Sequence, residues 1–360
     1  MGCWSRPRVV VYLVLGLVAI DWVVWRHRAV WKSFDPDDYQ ERLDNCRRHR
    51  PDTVVVGGSP VSEGIDPVVL AGLPWHGTVL QQAYNLGLPG ATTSDIWHAV
   101  RHALRRPPKL LIYGITASDV NDDRLEPHGV SSLMDIQDLR EWVVRWPGSC
   151  EWVMRQYVEG RLLGCWQLYR YRNGIRLWAA AEAERRWPGS FPAEAEEARR
   201  QRAYHAAMQA EHGFAPQPHF QRGNFAAYKA SGGAPVPFGF LRKFRLGNHW
   251  KCLHLILEWA ASHGVSVVLV DMPVTAELEE VRFRREFAAY RAALAELEAG
   301  RSVTVLRATR EATGIGDADF ADLIHLNARG TARLSAWIRQ QLVRAESEPR
   351  SHGLQARATP

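Results

Sequence analysis

The sequence is poor in the residues that mark several common function classes. It holds 5 cysteines in 360 residues, Cys3, Cys46, Cys150, Cys165 and Cys252. No two stand in a CxxC pair, which excludes the usual zinc ribbons and fingers. There is no P-loop, no dinucleotide-binding glycine fingerprint, no kinase set and no HExxH motif, which sets nucleotide, nicotinamide and zinc-protease chemistry aside. An excess of one charge sign is nearly absent: 45 Lys and Arg face 39 Asp and Glu, a formal net charge of +6. With neither a helix-turn-helix pattern nor an aromatic-basic RNA motif, that balance leaves no footprint for nucleic acid. Mean hydropathy is −0.27, which excludes a polytopic membrane protein. What remains, 46% hydrophobic and 23% charged residues, suits one large or two ordinary globular domains with a sizeable core.

One long apolar run does occur. Val9 to Trp25 is VVVYLVLGLVAIDWVVW, with Asp21 its single charge. As a helix it spans about 26 Å at 1.5 Å per residue. Snorkelling of Arg8, Arg26 and Arg28, with Trp22 and Trp25 at the interface, extends that reach towards a hydrocarbon core of ~30 Å. No small-residue cleavage site follows, so residues 1–30 read as an uncleaved, single-pass signal anchor. Cys3 precedes the run and so is no lipoprotein cysteine. Arginines on both sides leave the orientation unset. If the body is exported, Cys46, Cys150, Cys165 and Cys252 form up to two disulfides; in the cytosol they stay reduced.

Beyond residue 50, short apolar runs alternate with helical patterns. The runs are Thr53–Val56, Ala83–Leu88, Leu110–Ile115, Val265–Met272 and Val303–Leu306. They are rich in Val, Leu and Ile without alternation, as strands buried on both faces are. Ser94–Arg105, Phe244–His263, Phe283–Leu297 and Ala328–Val343 carry apolar residues at helical spacing, with Asn327 as N-cap of the last. This order predicts an α/β fold, a parallel sheet in a three-layer α/β/α body over residues 31–345. Residues 123–245 interrupt it as a helical insertion, with a run over Ala179–Glu211 and a Gly/Pro/aromatic stretch over Gly213–Phe240. Its aromatics, among them Phe220, Phe225, Tyr228 and Phe238, fit either a lid over a ligand or a helical buttress. Residues 346–360 read as a disordered tail.

Ligands of such sheets bind beyond the carboxyl ends of the strands. After the first strand comes Gly57-Gly58-Ser59-Pro60, where Ser59 opens a helix. This is equally the pattern of a helix N-cap. After the second comes Asn85-Leu86-Gly87-Leu88-Pro89-Gly90, and after the third Gly114-Ile115-Thr116-Ala117-Ser118-Asp119-Val120-Asn121. Asp322 and His325 stand three apart before the last helix, a spacing at which a carboxylate reaches an imidazole. Ser, His and Asp are together the parts of a nucleophilic acyl-transfer site. His98 and His102, beside Arg101, Arg105 and Arg106, read as a solvated helix face.

In this order the segments resemble the SGNH/GDSL hydrolase superfamily over Thr53–Val343, with Leu125–Arg245 outside the resemblance. The segment Gly58-Ser59-Pro60-Val61-Ser62-Glu63-Gly64-Ile65-Asp66-Pro67 resembles most the membrane-anchored branch, which includes the teichoic-acid D-alanyl transfer protein and the alginate O-acetylation proteins. The resemblance implies a flavodoxin-like sheet, Ser59 as nucleophile, His325 as base and Asp322 as orienting acid. It implies an oxyanion hole from the N–H groups of Ser59 and Gly87. The usual third donor, an Asn after the third strand, is replaced by Thr116, leaving Thr116, Ser118 or Asn121 to take its part. The implied function is a membrane-anchored, cofactor-free serine esterase or O-acyltransferase with an extracytoplasmic body. Its partners are an acyl donor and a hydroxyl-bearing acceptor such as a cell-envelope polysaccharide. The alternative is a catalytically inactive relative that binds glycan or a membrane acyltransferase partner.

Overall fold

The computed structural model describes residues 6–34, 39–123, 134–210, 212–214, 216–232, 238–300 and 303–347. Cys3 and, of the expected disordered tail, residues 348–360 lie outside these; the last helix runs on to Ser347.

The chain divides into two compact units, one of Met1–Tyr39 with Gly129–Ala207, the other of Gln40–His128 with Met208–Pro360. The second carries the sheet. Its strands are β1 (Thr53–Gly57), β2 (Leu73–Trp75), β3 (Thr78–Leu80), β4 (Ala83–Gly87), β5 (Leu110–Ile115), β6 (Ser266–Asp271) and β7 (Thr304–Arg307). Five of them form one parallel sheet in the order β4-β1-β5-β6-β7. β2 and β3 are a separate antiparallel hairpin, too short to leave an apolar run in the sequence. Every residue of β1, β4 and β5 is buried, which accounts for the lack of polar alternation along β1 and β5. The protein is therefore α/β, as the alternation implies.

The helix Thr93–Ala103 packs along Asn248–Ser262 and is buried from Thr93 through Val100. His98 is thus a core residue, not part of a solvated face. Arg284–Gly300 and Ala328–Ser347 follow the expected pattern. Asn327 Oδ1 accepts the N–H groups of Arg329 and Gly330, at 3.1 and 3.2 Å, as the cap of the last helix.

The expected insertion does not behave as one piece. Residues up to Ala207 fall with the N-terminal helices, while the chain from Met208 onward belongs to the sheet unit. The single helical run over Ala179–Glu211 is two helices, Arg172–Arg186 and Pro192–Ala210. Trp187-Pro188-Gly189 breaks it, with Gly189 in the left-handed region at φ +90°. In this first unit Trp142 is buried and clusters with Trp146 and Trp152 at ring separations of 4.7 and 5.4 Å. Trp142 is a core residue, and Trp146 and Trp152 pack on it half-buried.

Arg6–Arg26 is one helix, but among the described residues no helix is long and apolar enough to cross a membrane. The spanning anchor expected over Val9–Trp25 is therefore not found. The reason lies at Asp21, whose carboxylate accepts the Leu168 N–H at 2.8 Å and satisfies the start of the helix Gln167–Arg170. The apolar stretch from Val10 to Ile20 covers only about 16 Å before that charge. Trp31 Nε1 also donates to Val24 O, at 3.1 Å, and fixes the turn after the helix. Cys46, Cys150 and Cys252 are free thiols, so no disulfide joins them.

Candidate active site

The site begins with a row of three glycines. Gly57 pairs in register with Gly87 on one side and Gly114 on the other, so a bare strip crosses the carboxyl ends of β4, β1 and β5. The helix Ser59–Gly64 sits down on this strip. Val61 fills the space that a Cβ on Gly57 or Gly114 would need, and a Cβ on Gly87 would overlap Ser62 N and lie 2.6 Å from Ser62 Cα. Asn85 secures the seat: its Nδ2 donates to Val61 O at 2.9 Å and Ile65 O at 2.7 Å. Those carbonyls belong to the helix end, where Val61 O also accepts the N–H of the cap residue Ile65 at 3.2 Å. Arg42, buried in the helix Tyr39–His49, donates to Ser62 Oγ at 3.2 Å and to Gly87 O.

Ser59 is the first residue of that helix, with Gly58 extended before it at φ −78°, ψ −160°. Its hydroxyl donates to His325 Nε2 at 2.9 Å, and His325 Nδ1–H donates to Asp322 Oδ2 at 2.7 Å. The other carboxylate oxygen of Asp322 accepts the N–H groups of His325 and Ile324, at 2.8 and 2.9 Å. The short turn between Asp322 and His325 is thereby closed on itself. Burial alone pushes the Asp322 carboxyl up, but the His325 hydrogen bond and charge, with the two N–H groups, hold it below the usual carboxylate value. An anionic Asp322 fixes the imidazole with Nε2 facing Ser59, as a general base requires. The structure thus brings Ser59, His325 and Asp322 together.

The other expected residues are placed differently. The Gly87 N–H donates to Asn85 Oδ1 at 2.7 Å, so it does not face the nucleophile. Gly87 is glycine because the Ser62 backbone presses on it. Asn121 is fully buried and fastens the returning chain: its Nδ2 donates to Phe240 O at 3.1 Å and its Oδ1 accepts the Arg245 N–H at 2.9 Å. Thr116 donates its hydroxyl to Asp119 Oδ2 at 2.9 Å, and Ser118 Oγ lies 2.7 Å from the Thr116 hydroxyl. Thr92-Thr93-Ser94-Asp95 repeats this closure at the end of β4, with Thr92 N–H and hydroxyl both donated to Asp95 Oδ2 at 2.8 Å. The two closures are joined where the Thr93 N–H and hydroxyl donate to Asp119 O, at 3.1 and 2.8 Å. Gly87, Asn121 and Thr116 are therefore structural. The N–H of Ser59 has no acceptor among the described residues and is the one expected oxyanion donor left in place.

A covering segment completes the site. Residues 216–225 lie against the loop that carries Asp322 and His325. The Phe225 N–H donates to Phe320 O at 3.0 Å, Asn327 Nδ2 donates to Gly223 O at 3.3 Å, and Phe225 is buried. The Phe220 ring stacks on the His325 imidazole with centroids 4.1 Å apart and planes 27° apart. Phe225 is thus a buttress and Phe220 the cover.

Sequence reasoning missed Glu63. It lies one helical turn after Ser59, on the same face, and is buried. Its Oε2 accepts the Gln217 N–H at 2.7 Å, and its Oε1 is buried with no hydrogen-bond partner among the described residues. Burial pushes this carboxyl up to about 7, against the Gln217 N–H and the charges of His325 and Arg42, and with Asp322 adding to the rise. The folded value lies above the unfolded one, so the stability this group contributes is complete below about pH 4.5 and is lost as pH rises through about 7. Glu63→Gln removes that loss. Its advantage in unfolding free energy over the wild type grows from pH 5 to 8 and levels off on the order of 3 kcal/mol. Urea titrations at pH 5, 7 and 9 measure it; a difference independent of pH contradicts the assignment.

No family model matches the sequence, and no curated protein is found that matches it.

Proposed function

We propose that the protein is an SGNH-type serine acyl-transfer enzyme, an O-acyltransferase or esterase acting on a cell-envelope polysaccharide or a similar hydroxyl-bearing acceptor. One observation carries the reading: the Ser59–His325–Asp322 relay, closed at 2.9 and 2.7 Å. Ser59 Oγ attacks the acyl carbonyl carbon while His325 Nε2 takes the hydroxyl proton. The Ser59 N–H donates to the developing oxyanion. His325 then gives the proton to the leaving group, and the acyl group rests on Ser59. The acceptor hydroxyl, deprotonated by His325, attacks this ester; the Ser59 Oγ–acyl bond breaks and His325 returns the proton to Ser59 Oγ.

The Phe220 cover supports transfer over hydrolysis, because it shields the imidazole from water. Phe220→Ala is expected to shift product partition severalfold towards hydrolysis, at a melting temperature near that of the wild type. Chromatography of products from an activated acetyl ester, with and without an oligosaccharide acceptor, measures the ratio; an unchanged ratio removes the shielding role.

Attachment to a membrane is supported by the first helix. Val10, Leu13, Leu17 and Trp22 are exposed there. Arg26 and Arg28 lie over the Trp22 and Trp25 rings at 5.4 and 4.8 Å, an arrangement suited to the lipid–water interface. The body stands outside the cytoplasm, as in the branch the sequence resembles.

A second reading, a non-catalytic protein that binds glycan or a membrane acyltransferase, is favoured by the engagement of Gly87 and Asn121 elsewhere. A fluorophosphonate probe separates the two. The enzyme is captured covalently on the peptide containing Ser59, and the binding protein is not.

A further inference from the structure

Three features around the triad are unexplained by the acyl-transfer chemistry. Glu63 shares a helical turn with the nucleophile but touches no reacting atom. Its Oε1 is buried without a hydrogen-bond partner among the described residues. Its Oε2 accepts the N–H of Gln217, the residue that precedes the short helix Pro218–Gln221 and whose carbonyl accepts from Phe220 and Gln221. Phe220 is the ring stacked on His325. One hydrogen bond thus ties the nucleophile helix to the turn that covers the catalytic base.

We propose that Glu63 is a positioning residue for His325: its carboxylate holds the 217–221 turn, and with it Phe220, against the imidazole, and the hold depends on the charge of Glu63. The functional consequence rests on the acyl-transfer reading of the triad. A carboxylate accepts an N–H bond roughly twice as strongly as a neutral oxygen does. The groups that face Glu63 are Arg42 from the helix beneath, and His325 and Asp322 from the loop before the last helix. Arg42 and His325 favour the charged form, while Asp322 and burial oppose it, and the balance lies near neutrality. Ionised Glu63 fastens the cover. Protonated Glu63 loosens it, while Phe225 N–H on Phe320 O and Asn327 on Gly223 O keep the far end of the segment in place. The cover thus pivots at 223–225 rather than detaching.

Two substitutions test the tether without disturbing the triad. Glu63→Gln keeps an oxygen acceptor and removes the charge. Gln217→Pro removes the donated N–H at a position whose φ of −67° already suits proline. Hydrogen exchange of the 218–225 segment, corrected for intrinsic rates, is followed from pH 5.5 to 8.5. In the wild type, exchange is expected to be about tenfold faster at the acid end. In both variants it is expected to be fast and independent of pH. Wild-type exchange without pH dependence, or variants that retain it, would overturn the proposal. Fluorophosphonate capture at Ser59 is measured in parallel and is expected to follow the same pH profile in the wild type and to lose it in Glu63→Gln. No capture of the wild type at any pH overturns the acyl-transfer reading, while the exchange comparison still decides the tether.

Discussion

Ser59→Ala is expected to abolish covalent capture by a fluorophosphonate and to lower acyl turnover by roughly 10⁴-fold or more, because no other nucleophile stands within reach of His325 Nε2 among the described groups. Folding is expected to be unaffected, since among the described residues the Ser59 hydroxyl bonds only to the imidazole and surface-type changes of this kind stay within about 0.5 kcal/mol. Asp322→Asn is a sharper probe of the relay. The amide nearly preserves the volume but offers an N–H where Nδ1–H needs an acceptor, so the imidazole turns its proton towards Ser59. A loss of about 10⁴ is expected with the protein still folded. Steady-state turnover of an activated acetyl ester, with melting curves for each variant, decides both. Activity retained in Ser59→Ala would refute the nucleophile.

Gly87→Ala is expected to cost more than about 3 kcal/mol, because the added methyl meets backbone rather than a movable side chain. That exceeds a third of the stability of many domains. Chemical denaturation measures the loss. A midpoint unchanged from the wild type would show that the helix Ser59–Gly64 does not press on the strip as described.

Much of this was legible in the sequence, for identifiable reasons. The five sheet strands are apolar on both faces, so their positions survive any uncertainty about which face is inward. Ser59, Asp322 and His325 stand at the end of such a strand and before the last helix, where their local patterns are ambiguous and only their combination in order, through the family resemblance, singled them out. The glycines at 57, 87 and 114 were visible as letters but not as a row, because register across a parallel sheet is set by crossovers far away in sequence. Gly87 therefore read as a donor when it is a seat. Glu63 was hidden for a related reason. Its burial depends on residues 217–220, which return from another part of the chain, and only its four-residue offset from Ser59 pointed to it. The Pro216-Gln217-Pro218 sequence, which marks the start of a short helix, was the corresponding signal for the cover. The apolar run near the N-terminus misled because Asp21 looked like an interruption of an anchor, whereas its carboxylate serves another helix.

The two Thr-x-Ser-Asp closures set an order of assembly. Each is formed within four consecutive residues, and the bonds through Asp119 O join partners 26 residues apart. The Ser59–His325 contact spans 266 residues. Loop-closure entropy makes the short closures early events and the long one late. These closures are thus shaped while His325 is still distant, and the Ser59–His325 contact, on which the proposed nucleophile depends, forms only when the segment before the last helix docks. A chain halted before residue 325 is expected to hold both closures but no imidazole partner for the Ser59 hydroxyl. On the proposed reading, chemical reactivity at Ser59 would consequently report completion of the whole sheet unit and time its folding.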